Sequence, residues 1–118
     1  MPLIIGVARE RVPGEHRVAL APETNKKFQA LGAKVVLEKD AGLESHFMDA
    51  SYEEADFAEE LVAVYAKSGL ILRVTPPSPE EIAALPEGSV LIGLLKPFED
   101  KARLAALNAR RITAFALE

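Results

Sequence analysis

Three arginines and a histidine are crowded into Arg9-Glu10-Arg11-Val12-Pro13-Gly14-Glu15-His16-Arg17, and the run Val18-Ala19-Leu20-Ala21-Pro22-Glu23 follows at once. A guanidinium held still can grip a carboxylate through two parallel hydrogen bonds. The apolar residues after Arg17 would fix its backbone, which makes Arg17 the first candidate for holding a small anion. A plainer reading of the same charges is that Arg9, Arg11 and Arg17 pair with Glu10, Glu15 or Glu23 on a solvated surface, where ion pairs are common and weak. His16 fits either reading.

Other chemistries lack their parts. The seven glycines never form GxGxxG, nor a Walker-type loop, so no turn cradles a pyrophosphate against a helix start. No GxSxG elbow offers a serine nucleophile. His16 and His46 lie far apart and neither belongs to a helical metal-binding pair, so no metal is expected. Without cysteine, disulfides, thiolate zinc sites, iron–sulfur clusters and cysteine nucleophiles are excluded, and a reducing, cytoplasmic setting is expected. Fourteen Lys and Arg against 18 Asp and Glu give a net charge of -4, which argues against a nucleic-acid partner.

The elements that must position the arginine-rich loop can be read from periodicity. With 118 residues, 49% of them hydrophobic, the chain has room for one globular domain. Continuous apolar runs at Leu3 to Ala8, Lys34 to Glu38, Gly69 to Val74, Ser89 to Leu94 and Ile112 to Leu117 read as strands covered on both faces. Helices are expected from Pro22 to Leu31, with Phe28 and Leu31 on one face and Gly32 ending it; from a capping box at Ser51-Tyr52-Glu53-Glu54 through Phe57, Leu61 and Tyr65; briefly after Ser78-Pro79-Glu80-Glu81-Ile82; and from Glu99 to Ala109, with a Glu99 to Arg103 pair. The alternation predicts an α/β fold: a doubly wound, mostly parallel five-stranded sheet with helices on both faces, Rossmann-like or flavodoxin-like. In such a sheet the loop from Arg9 leaves a strand's carboxyl end, where ligands are met. No apolar run approaches the ~20 residues that span a bilayer, and the start of the chain does not read as a signal peptide.

Four stretches carry a family resemblance: "IIGVARERVPGEHRVALAPE", "LGAKVVLEKDAGLESHFMDASYEEA", "LILRVTPPSPEEIAALPEGSVLIGLL" and "LNARRITAFALE". Together they resemble the N-terminal domain of the alanine dehydrogenase and proton-translocating nicotinamide nucleotide transhydrogenase family. The "RERxPGExRVAxxPE" opening is the most specific piece, supported by "AGxxSxFxDAxYEEA" and "ITAFALE".

Two positions bear on the branch. Alanine dehydrogenases carry a substrate-holding Arg in "RVAL", a Lys in "KVKEP" and a His after the next strand as general acid. Arg17 keeps the first, whereas "RVTPP" puts Thr75 at the second and "LIGLLKPF" puts Lys96 at the third. Threonine brings no charge to a carboxylate, and lysine titrates about four units above histidine. The chain therefore resembles most the NAD(P) transhydrogenase alpha subunit.

That resemblance implies residues 1–118 of a longer parent, catalytically incomplete alone, whose NAD(H) is bound mainly beyond residue 118 by a second, Rossmann-type domain. Arg17, Arg73 and Lys96 are the cleft-facing candidates, with no catalytic or cofactor-binding residue within the chain. Implied partners are that second domain and the beta subunit with its NADP-binding and membrane parts. The parent would be a homodimer, associated peripherally with the inner membrane through its partner subunits. An alanine dehydrogenase substrate domain and a stand-alone α/β anion-binding or interaction module are the alternatives.

Overall fold

The computed structural model describes residues 3–118. Its strands are β1 (Ile4–Val7), β2 (Lys34–Glu38), β3 (Asp56–Ala58), β4 (Leu70–Leu72), β5 (Val90–Gly93) and β6 (Thr113–Ala116). They form one sheet in the order β3-β2-β1-β4-β5-β6, and every neighbouring pair is parallel. The doubly wound α/β fold expected from the sequence is therefore present, in the Rossmann rather than the flavodoxin order. Winding reverses between β1 and β4, so the crevice of such a sheet opens at their carboxyl ends.

Local chemistry explains each helix. Pro22 opens α1 (Pro22–Ala30) at a position where no amide partner is needed, and Gly32 follows with φ +94. α2 (Leu61–Ala66) buries Leu61, Val64 and Tyr65. Ser78 starts α3 (Pro79–Ala84) with a true capping box: its hydroxyl accepts the Glu81 N–H at 3.2 Å while Glu81 Oε1 accepts the Ser78 N–H at 2.8 Å. Asp100 caps α4 (Lys101–Ala109) by accepting the Arg103 N–H at 3.0 Å.

Four sequence expectations need correction. The sheet has six strands, because Asp56–Ala58 pairs with Val36–Glu38 instead of continuing a helix. The box at Ser51 does not form: Glu54 turns left-handed at φ 61, and Tyr52 is drawn into the core, where its hydroxyl donates to the Leu20 carbonyl at 2.7 Å. Leu31 caps α1 at 83% exposure, not beside Phe28 in the core. At α4, Arg103 pairs with the capping residue Asp100 at 3.6 Å; no Glu99 to Arg103 pair forms.

Two cores lie on opposite faces. Helices α2, α3 and α4 cover Ala8, Val36, Ile71 and Leu91 on one face. On the other, α1 and the Ala41 to Tyr52 loop cover Val7, Val35 and Leu37. That second cover is partial: the cross-strand row Val7, Leu72, Ile92, Phe115 runs from fully buried at Val7 to 54% exposed at Phe115.

Candidate functional site

At the carboxyl edge of the sheet the backbone amides are claimed by the chain's own carboxylates. After β1, Glu38 Oε1 accepts the Arg9 N–H at 2.8 Å, and its other oxygen takes Arg11 Nη2 at 2.5 Å. After β2, both oxygens of Asp49 accept the Asp40 N–H, at 3.0 and 3.2 Å. After β4, Glu10 accepts Val74 N–H and Thr75 N–H at 3.0 Å each and the Thr75 hydroxyl at 2.6 Å. After β5, Glu118 accepts Leu95 N–H at 3.2 Å and Lys96 N–H at 2.7 Å. Amides at strand ends are natural seats for ligand anions. Here each seat is taken from within.

Arg73 lies beneath this rim, with its side chain 1% exposed. Its Nη1 donates to the Tyr65 hydroxyl at 2.9 Å and to Glu81 at 3.0 Å, its Nε donates to the Thr75 carbonyl at 2.8 Å, and Nη2 stands 3.5 Å from Glu10. Burial opposes the guanidinium charge, but facing Tyr65, Glu10 and Glu81 more than offset it and the Arg73 pKa rises. Burial likewise pushes the Tyr65 hydroxyl upward, against the pull of Arg73.

Arg17 stands outside, its side chain 65% exposed, forked onto Glu15 with Nε and Nη2 donating at 2.9 and 2.8 Å. This contact holds the Glu15 carboxyl down to about 2. His16 Nδ1 lies 2.7 Å from Glu44, and the Ser45 hydroxyl donates to the His16 carbonyl at 2.5 Å. A cavity of about 200 Å³ is lined by Arg9, Glu15, His16 and Arg17 from the loop after β1 and by Asp40 and Glu44 from the segment after β2.

The three cleft candidates are therefore spread across the edge. Arg17 borders the cavity beside β1 and β2, Arg73 is enclosed at the end of β4, and Lys96 is exposed at the end of β5. Surface pairing is realised for Arg17 with Glu15, while Arg11 reaches across to β2. Sequence reasoning missed Glu10, Glu38, Asp49 and Glu118 as rim residues. An acid at or just after a strand's end, as at Glu10, Glu38 and Glu118, was the available signal. No group of three or more metal-binding side chains occurs among the described residues.

An all-parallel sheet in Rossmann order, with no glycine-rich turn and with charged side chains along its carboxyl edge, defines a Rossmann-like α/β domain. The family model for the alanine dehydrogenase/PNT N-terminal domain matches residues 6–118, and the chain belongs to this family. It is 33% identical over 98% of its length to the NAD(P) transhydrogenase subunit alpha of Haemophilus influenzae, covering 23% of that protein. It is 34% identical over 98% of its length to the alanine dehydrogenase of Methanococcus maripaludis, covering 32% of it. The solved transhydrogenase from Sinorhizobium meliloti superposes with a TM-score of 0.90 at 35% identity, over 96% of this chain and 34% of that one. The chain thus spans about a quarter to a third of the relatives it matches.

Proposed function

We propose that residues 1–118 are the N-terminal part of a proton-translocating NAD(P) transhydrogenase alpha subunit, an oxidoreductase moving hydride between NAD(H) and NADP(H), and that they form one wall of its nicotinamide cleft. The observation that carries this reading is Thr75. It stands where the alanine dehydrogenase branch holds its substrate with lysine, and its hydroxyl and amide are both spent on Glu10. The second substrate-holding cation of that branch is thereby missing.

The residues present do not fit a dinucleotide. Strand-end amides are occupied, no glycine-rich turn follows β1, and Glu38, the acid ending β2 where a ribose would be met, is engaged by Arg11. Nucleotide binding is accordingly assigned to a second, Rossmann-type domain of the parent. The remaining partners of this reading are a beta subunit with NADP-binding and membrane parts, and a second alpha subunit in a homodimer. Among the described residues no helix is long and apolar enough to cross a membrane.

Assaying the parent protein separates this reading from its rival. NADH-dependent reduction of an NADP analogue is expected, with no reductive amination of pyruvate; the reverse pattern would establish the alanine dehydrogenase reading, which Arg17 favours. Isothermal titration of residues 1–118 with NADH should give no binding tighter than millimolar. Micromolar binding would overturn the assignment of the nucleotide site to another domain.

A further inference from the structure

We propose that Glu118 is a positioning residue whose carboxylate seats the turn after β5 and so sets Lys96 at the mouth of the crevice. The register delivers it there: Gly93 pairs with Ala116, and the Leu117 N–H donates to the Gly93 carbonyl at 3.0 Å, carrying the next side chain past the end of the ladder. Glu118 then meets two consecutive amides, Leu95 and Lys96, one with each oxygen. Consecutive amides aimed at one anion make a concave seat.

The peptide joining Leu95 to Lys96 is gripped on both sides. Its N–H donates to Glu118 at 2.7 Å, while its carbonyl accepts Arg103 Nη1 at 3.1 Å. Lys96 is left-handed at φ 48, a conformation that a lysine holds only where its surroundings impose it, and the turn closes with Glu99 N–H donating to the Lys96 carbonyl at 3.1 Å. The charged groups around the seat are Lys96, Arg103 and, paired with Arg103, Asp100. The amides of Lys96 and Leu95 hold the Glu118 carboxyl below its ordinary value, against its own desolvation. That Lys96 faces a nicotinamide cleft rests on the proposed function. The seat itself rests on geometry alone, so its failure would leave the family reading untouched.

The test is amide NMR on residues 1–118, in the wild type, Glu118→Gln and Glu118→Ala, from pH 7 down to pH 2.5. In the wild type the Leu95 and Lys96 resonances should titrate together, with a midpoint below that of an ordinary glutamate. In Glu118→Gln they should be flat with pH, and the Lys96 amide should exchange about tenfold faster while Ile71 and Leu91 stay unchanged. In Glu118→Ala, acetate should return both resonances toward their wild-type positions where chloride at equal ionic strength does not. The proposal fails if the wild-type pair does not titrate, if Glu118→Gln leaves its shifts and exchange in place, or if acetate acts no differently from chloride.

Discussion

Glu10 joins two loops that are 64 residues apart in sequence, and with its side chain 2% exposed it does so out of reach of water. Glu10→Ala would orphan the Val74 and Thr75 amides and leave Arg73 short of a counter-charge. Removing one partner of a buried pair costs about 3–5 kcal/mol, so the urea midpoint should fall steeply; a loss under ~1 kcal/mol would show that the rim tolerates an empty place. Glu15 behaves differently, because its partner Arg17 is in solvent. Its folded pKa, about 2, lies below its ordinary 4.5, so the stability it adds is complete above pH 4.5 and lost as pH falls through 2. Chemical-shift titration of the Glu15 carboxyl carbon would measure that midpoint, and Arg17→Gln should return it to the ordinary range. Tyr52 is shifted the other way, pushed to about 12 by burial and then by Asp49. Folding prefers its neutral form, so the Tyr52 contribution is intact below pH 10 and declines as pH rises through 12. Tyr52→Phe, which strands the Leu20 carbonyl, should cost about 1 kcal/mol by thermal unfolding.

Among the elements, those with strong local signals were legible in advance. β1, β2, β4, β5 and β6 are short, continuous apolar runs, and α1 carries its proline and glycine at the expected ends. β3 was not legible. Its run Asp56-Phe57-Ala58 is too short and too polar to declare itself, and only pairing with β2 makes it a strand. The same tertiary pull defeated the Ser51 box, since burying Tyr52 outweighs a helical turn there. The arginine loop and the pairing of Arg17 with Glu15 were found from composition, but Glu38 as the partner of Arg11 was not, because contacts such as Arg11 to Glu38 or Glu10 to Thr75 depend on how loops from different strands meet. Close packing between strands also predicts where a methyl group is refused. A Cβ on Gly93 would run into the Arg73 carbonyl oxygen, a backbone atom that cannot swing aside, whereas one on Gly69 would meet nothing nearer than Leu3 at 3.8 Å. Gly93→Ala should therefore cost about 1–3 kcal/mol and Gly69→Ala far less, as paired thermal melts would read out.

For the molecule as a whole, the uneven cover of the sheet matters most. All four residues of the edge strand β6 are exposed, Phe115 among them at 54%, and Leu117 just after it is 66% exposed. Open apolar edges invite pairing. Sedimentation of residues 1–118 should thus depend on concentration, and Phe115→Lys should restore a monomer without lowering the melting temperature. A variant that associates as strongly as the wild type would locate the contact elsewhere.

The ring of internal carboxylates has a consequence for modularity. Each of the four contacts that finish the strand ends is made between residues of this one segment. None waits for a neighbouring domain to supply its counterpart. Residues 6–118 should therefore be exchangeable as one block between members of the family, the graft arriving with its loops already set and only its outward side chains left to match the new host.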